Sequence, residues 1–306
     1  MRLAVLDVGS NAAHLHVVDA RPGGPPQSVF RLKAPTLLAD SVDDDGALSD
    51  DAVDRLVSAV TETVDASRRH AVTDLIPLAT ATIRDATNVE EIRHRVREAA
   101  GIELHSLSGE DEARVTFLAV RRWLGPSAGP GLLPSAGPVL LLDIGGATAE
   151  IAAGTGELPD VAVSLPLGAA RITRTMLPCH PARTRDVAAV HRHVLRSVRP
   201  HAALVDGAAR PIATSKTFKQ LARVAGADGR LPLAGLREWI PRLAAMRPEE
   251  RATLPGVAAS RSRQLLAGAV IAAAMMEALD LTHVDVCPWA LREGLLLRRI
   301  TELSTT

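Results

Sequence analysis

Two stretches decide how the chain is read: Arg2-Leu-Ala-Val-Leu-Asp7-Val8-Gly9-Ser10-Asn11 and, 136 residues later, Val139-Leu-Leu-Leu-Asp143-Ile144-Gly145-Gly146-Ala147-Thr148. In each, an apolar run ends in Asp, and a β-branched residue, a Gly and a small residue follow. Beyond the turn, Ala13-His14-Leu15-His16-Val17-Val18 alternates in character, and Ala149-Glu150-Ile151-Ala152 returns likewise. Period-two alternation marks a strand, so each stretch reads as a β-hairpin around a Gly turn. The recurrence is an internal repeat, with one copy opening each half of the chain. Each turn leads into a strand rather than a helix, which excludes a dinucleotide fingerprint, and no G-x-x-x-x-G-K-[ST] is present.

The composition narrows the class. The chain has 306 residues, 47% hydrophobic and 23% charged, which fits two ordinary globular domains and excludes disorder. Lys+Arg and Asp+Glu are both 35, so no global field attracts nucleic acid or an anionic membrane, and any anion must be held locally. Cys179 and Cys287 are too few for a disulfide framework and too far apart for a metal-ligand pair, so a reduced, cytoplasmic setting is expected. The N-terminus lacks a signal peptide's apolar core, and the apolar stretch from Leu265 to Leu281 contains Glu277 and Asp280, so it reads as a buried helix. Only three of the basic residues are Lys: Lys33, Lys216 and Lys219.

Strands and helices alternate along both halves. Ser49 caps a helix over 50–69, a strand covers 74–80, Asn88 caps a helix over 89–100 that Gly101 stops, 103–107 is a strand, and a helix follows from Ser108 to Leu124. Pro77 weakens the strand over 74–80, because proline cannot donate to a sheet ladder. The Gly/Pro/Ser-rich segment from Gly125 to Pro138 is the expected linker between domains 1–124 and 125–306. The second half reads as strands at 161–165, 211–213 and 284–287, with helices from about Gly168, Arg185, Lys216, Leu233, Arg261 and Trp289. The expected class is α/β, in two similar halves with a cleft between them.

A Gly turn lets backbone N–H groups approach an anion closely. With the hydroxyls of Ser10 and Thr148, two such turns facing one another would clamp a chain of phosphates. Asp7 and Asp143 end their strands at the turns and Glu150 lies on the returning strand. Hard oxygen ligands of this kind, completed by phosphate oxygens and waters, suit magnesium. Glu110, Asp111 and Glu112 crowd a helix start, more acid than capping requires, and a carboxylate among like charges is a better proton acceptor at neutral pH.

Six segments in order resemble the exopolyphosphatase/guanosine pentaphosphate phosphohydrolase (Ppx/GppA) family. Leu6-Asp7-Val8-Gly9-Ser10-Asn11 is similar to its D-[IVL]-G-S-N, and Thr80 to Asn88 to its T-x-x-x-R-x-A-x-N. Ser108-Gly109-Glu110-Asp111-Glu112-Ala113 is similar to S-G-x-E-E-A, and Asp143 to Glu150 to D-I-G-G-G-S-x-E; Leu165 to Ala169 and Arg292-Glu293-Gly294 fit as well. The resemblance implies a duplicated actin-like (ribonuclease H-like) fold of two domains, with the last helix packing back on the first. It implies phosphates in the interdomain cleft and release of terminal orthophosphate from inorganic polyphosphate by attack of water. Glu112 would be the catalytic base. Ser10, Asn11, Arg84, Lys216 and the turn Gly145-Gly146-Ala147-Thr148 would bind phosphate. Asp143 and Glu150 would stand beside Mg2+ or another divalent cation, Glu150 also serving catalysis. Where the family has a third Gly this chain has Ala147, which would restrict the loop. Where it has G-G-T the chain reads Ser215-Lys216-Thr217, and Arg263 replaces an acid.

Other readings remain open at this point. A guanosine pentaphosphate 5′-phosphohydrolase would favour a base-stacking aromatic, and the chain has no Tyr, three Phe and three Trp. A non-catalytic polyphosphate- or alarmone-binding protein is kept open by Ala147 and Arg263, and an actin-like kinase has no use for the acids at Glu110 to Glu112. Neither nucleic acid nor membrane is an expected partner, and a homodimer rests on the resemblance alone.

Overall fold

Both apolar runs form strands, and each begins a sheet. The computed structural model describes residues 1–21, 26–38, 41–43, 45–125, 137–205, 209–227 and 229–304. β1 (Arg2–Val8) turns back into β2 (Ala12–Asp19), and β5 (Val139–Ile144) into β6 (Ala149–Gly154). Asp7 pairs with His14 in the first hairpin and Asp143 with Glu150 in the second. At the turns, the Gly9 N–H donates to the Ala12 carbonyl at 3.1 Å and the Gly145 N–H to the Thr148 carbonyl at 2.9 Å. The repeat therefore extends to register and hydrogen bonding.

A third antiparallel strand joins each hairpin, β3 (Gln27–Pro35) on β2 and β7 (Val161–Leu165) on β6. A fourth, β4 (Asp74–Ala79) or β8 (Arg210–Thr214), lies parallel to the first strand of the sheet. The orders are β3-β2-β1-β4 and β7-β6-β5-β8-β10-β9, with β9 (Arg230–Pro232) and β10 (His283–Val286) completing the second. Three antiparallel strands followed by a parallel one, twice, is the duplicated ribonuclease H-like topology expected. Pro77 pairs with Leu6 from the last strand of its sheet, where a missing N–H is tolerated.

The chain divides into unit 1, Met1–Ser108 with Leu291–Thr306, and unit 2, Gly109–Ala290. This differs from the boundary expected after residue 124. α4 (Gly109–Leu124) packs on β5, β6 and β7 and so belongs to unit 2, while α11 (Leu291–Ser304) packs on β1 and belongs to unit 1. Each sheet is thus packed by the helix that closes the other half of the chain. Residues 126–136 of the expected linker lie outside the described residues.

In unit 1, α1 (Asp50–Arg69) lays Val53, Leu56, Val60 and Val64 on Leu6, Val8, Leu15 and Val17. α2 (Ala81–Arg84) and α3 (Val89–Ala100) follow; Gly101 ends α3 at φ +70°, a left-handed cap suited to glycine. In unit 2, α5 (Ala169–Met176), α6 (Thr184–Ala202), α7 (Ser215–Val224) and α8 (Leu233–Ala245) surround α10 (Leu265–Ala278), with the short α9 (Pro248–Arg251) between α8 and α10. Enclosed from Leu265 to Met276, α10 needs no polar face there, and its one charged residue, Glu277, comes in the last turn, where it meets His191 and Arg237. No helix among the described residues is long and apolar enough to cross a membrane.

Some local expectations fail for identifiable reasons. Residues 103–107 make only one bridge, between His105 and Leu78. Asn88 stands at the N-cap of α3 without capping by its side chain, which instead bonds both backbone groups of Leu48, at 2.9 and 3.0 Å. α10 starts at Leu265 rather than near Arg261, because a 3₁₀ turn occupies Ala259–Arg261.

Candidate functional site

On one face of the unit 2 sheet, register aligns Thr214, Asp143, Glu150 and Ser164 in a single row across four strands. Directly opposed residues of an antiparallel pair share a face with Cβ atoms about 5 Å apart, so two carboxylates meet here. Glu150 is 5% exposed and accepts a hydrogen bond from the Ser164 hydroxyl at 2.9 Å. α4 covers this same face, burying Ala113, Phe117 and Val120 against Val139, Leu141, Ala152 and Ile212. Its first turn holds Glu112 at 8% exposure. A Cβ on Gly109 would lie 2.3 Å from Ser164 Oγ, so only glycine lets α4 start this close to β7. A carboxylate is costly to bury unless it is partnered, and buried carboxylates gathered on one face of a sheet are candidates for chemistry.

The turn after β5 is clamped from one side. The carbonyls of Gly145, Gly146 and Ala147 accept from the N–H groups of Ala169, Ala170 with Arg171, and Gly168, at 2.9–3.1 Å. Arg171 Nε also donates to the Ala147 carbonyl at 3.1 Å. With its carbonyls turned to the start of α5, the loop leaves the amides of Gly146, Ala147 and Thr148 without an acceptor among the described residues. Backbone donors are rarely left so, and consecutive free N–H groups form an anion-binding concavity. Gly168 makes the clamp possible, since a Cβ there would stand 2.2 Å from the Ala147 carbonyl carbon. The restriction expected from Ala147 does not arise as backbone strain: neither it nor the glycines beside it has positive φ.

Unit 1 repeats the device. The Gly9 carbonyl accepts from the Thr36 hydroxyl at 2.9 Å, the Ser10 carbonyl from Leu38 N–H at 2.7 Å, and the Asn11 carbonyl from Thr36 N–H at 3.2 Å. Ser10 and Asn11 are 7% and 6% exposed, with Asn11 Nδ2 on Ser10 Oγ at 3.0 Å. Arg84, at the end of α2, donates through Nε to Asp85 at 2.8 Å and through an Nη to the Leu107 carbonyl at 2.9 Å, which fixes its guanidinium.

Lys216 is exposed in the first turn of α7. The strained residue here is Ser215, at φ +83° with a buried hydroxyl that has no partner among the described residues. Thr217 ties α7 to the phosphate-loop strand, donating to the Ile144 carbonyl at 2.9 Å while its methyl fills the space a Cβ on Gly268 would take. Sequence reasoning did not single out Ser164 or the Thr36–Leu38 segment, because only strand register brings them to the turns. It also did not find two buried arginines. Arg121 bonds the Gly137 and Thr155 carbonyls, and Arg251 bonds those of Leu243, Met246 and Arg263. Burial holds the Arg251 guanidinium down at about 10.

Among the described residues no three His, Cys, Asp or Glu are grouped as metal ligands. The pair Asp143 and Glu150 nevertheless offers hard oxygens side by side, leaving further positions to waters and phosphate oxygens, as magnesium-like cations prefer.

The family model for the Ppx/GppA phosphatase family matches residues 16–303. The chain belongs to this family. Ppx/GppA relatives include a protein named Exopolyphosphatase 1 from Mycobacterium tuberculosis, 43% identical over 98% of this chain and 88% of its own length. The protein of the same name from Mycobacterium leprae is 42% identical over 98% of this chain and 90% of its own. Among solved structures, an exopolyphosphatase from Cytophaga hutchinsonii aligns with a TM-score of 0.85 at 21% identity, covering 99% of this chain and 98% of that one. The Aquifex aeolicus Ppx/GppA family member gives 0.81 at 23%, covering 100% and 99%. These two show that the Ppx/GppA fold is kept throughout.

Proposed function

We propose that the protein is an exopolyphosphatase, releasing terminal orthophosphate from inorganic polyphosphate by attack of water. The observation that carries this reading is the clamped loop of unit 2, whose amides of Gly146, Ala147 and Thr148 are presented without acceptors beyond the row of Asp143 and Glu150. Such a loop binds an anion through fixed dipoles that need no reorganisation as charge develops on a transferring phosphoryl group. The mycobacterial relatives named Exopolyphosphatase 1 supply the substrate class. Glu112, buried in the first turn of α4, takes a proton from the attacking water. A divalent cation, magnesium by this donor set, would be held by Asp143 and Glu150 and would neutralise part of the phosphate charge. Thr148 and Lys216 add donors in unit 2, and Ser10, Asn11 and Arg84 carry the equivalent anion-binding chemistry in unit 1.

Phosphate release from short, medium and long polyphosphate and from guanosine pentaphosphate, each with magnesium and with excess chelator, tests this reading. Metal-dependent release from polyphosphate in preference to the guanosine compound is expected. Preference for the guanosine compound makes the protein a nucleotide 5′-phosphohydrolase, and binding of both without release makes it a non-catalytic polyanion receptor; either result overturns the proposal.

A further inference from the structure

β7 sends small side chains to the face of the unit 2 sheet that α4 covers. Val161 and Leu165 alternate onto the opposite face and pack against the main core there, while Ala162 lies among the residues under α4. Ser164, two residues further on, is the one polar side chain that β7 adds to the α4 face. The close approach of Gly109 limits what can stand at this position. Alanine would meet that limit, as it does at Ala162, so packing alone gives no reason for a hydroxyl.

The hydroxyl has a specific partner. Register sets Glu150 between Asp143 on β5 and Ser164 on β7, so Glu150 meets a second carboxylate on one side and a donor on the other. Ser164 Oγ donates to Glu150 Oε1 at 2.9 Å. With Glu150 only 5% exposed, water is poorly placed to substitute for this bond. An ionised carboxylate has about four lone-pair positions. Ser164 takes one of them and leaves the rest to other ligands. A carboxylate held by one oxygen keeps its plane, and the bond opposes the repulsion that Asp143 exerts from the other side. A side chain on Gly109 would displace the Ser164 hydroxyl, so the glycine that admits α4 also preserves this contact.

We infer that Ser164 is a positioning residue for the divalent cation, anchoring one oxygen of Glu150 so that its remaining lone pairs are ready for the ion beside Asp143. The inference rests on the exopolyphosphatase reading for the cation itself, since that reading makes Asp143 and Glu150 its ligands. In this role Ser164 acts through Glu150 rather than on the ion or the phosphate. Hydrogen-bond partners of ligating carboxylates carry about 10- to 100-fold of metal affinity, because they orient the ligand before the ion arrives. The hydroxyl at position 164 thereby has a purpose that alanine could not serve.

The test titrates Mn2+, a paramagnetic stand-in for magnesium, into the full chain without substrate and reads the free ion by electron paramagnetic resonance. Asp143→Asn marks the site, since the affinity lost in that variant belongs to the pair Asp143 and Glu150. Ser164→Ala is expected to raise the Kd for Mn2+ about 10- to 100-fold. Ser164→Cys keeps the shape but donates weakly, and is expected to raise it nearly as far. Thermal unfolding without metal verifies the fold of each variant, and the cysteine variant carries the test alone if the alanine variant does not fold. An unchanged Kd in the folded variants overturns the inference, leaving the hydroxyl as a partner that merely stabilises a buried charge. Wild-type affinity in Ser164→Cys overturns it too, leaving the side chain as a space filler. A wild type that binds no Mn2+, or binds it as well after Asp143→Asn, rejects the cation site and the inference together. Weaker Mn2+ binding by the Ser164 variants of a protein that releases no phosphate keeps the inference and rejects the exopolyphosphatase reading.

Discussion

His16 shows how much one position can carry that its residue type does not announce. It is 6% exposed, with Nε2 at 3.1 Å from the Ser28 hydroxyl, and its imidazole is held neutral by burial first and by Arg31 next. Its folded pKa of about 4 lies below the ordinary histidine value of about 6.5, so the unfolded chain binds the proton more readily. Stability is therefore fully present above about pH 6.5 and falls as pH drops toward about 4. At about pH 5 the loss from this residue is about 2 kcal/mol. His16→Gln keeps a partner for Ser28 and removes the titration. Denaturant unfolding at pH 8 and pH 5 is expected to show the variant losing about 2 kcal/mol less than the wild type between the two. Equal losses would show that His16 is not the sensor. Ser215 illustrates the same scale differently, since its type gives no sign of the positive φ it adopts.

At the scale of elements, the turn after β5 is built by the segment that follows β7. Gly168, Ala169, Ala170 and Arg171 hold the loop carbonyls and so aim its amides. Gly168→Ala places a methyl against the Ala147 backbone, where no side chain can swing aside. The loop must shift, and phosphate release is expected to fall by about 10²-fold, with a stability loss of about 1–3 kcal/mol. Unchanged turnover in this variant, measured with its melting temperature, would mean that the clamp does not position the loop. The glycine was visible in the sequence as part of Leu165 to Ala169, but its reason was not. The close approach depends on how β7 pairs with β6, and register is set by tertiary packing rather than by local pattern. For a similar reason β3 escaped notice. Along Gln27–Pro35 only Ala34 is buried, so the strand shows no apolar run.

For the whole molecule, duplication was the legible part. An Asp at the end of an apolar run followed by a Gly turn is a strong local signal, and its recurrence disclosed both sheets and their equivalent carboxylates. Of the helix exchange between the halves, the return of the last helix came only from the family resemblance and the transfer of α4 was not legible at all, because only packing assigns an amphipathic helix to a sheet. The acids at the start of α4 were legible as a cluster. That Glu112 is the buried one, while Glu110 and Asp111 turn outward to Arg114, emerges only from the helix's orientation on the sheet.

The central claim is that buried Glu112 in unit 2 acts as base for water attack on a phosphate. Its most direct test is Glu112→Gln, with phosphate release and equilibrium binding of polyphosphate measured on the same preparation. The account predicts that release falls by about 10²–10⁴-fold, the usual worth of a general base, while binding stays within about a factor of three. A variant that still turns over at the wild-type rate would contradict it.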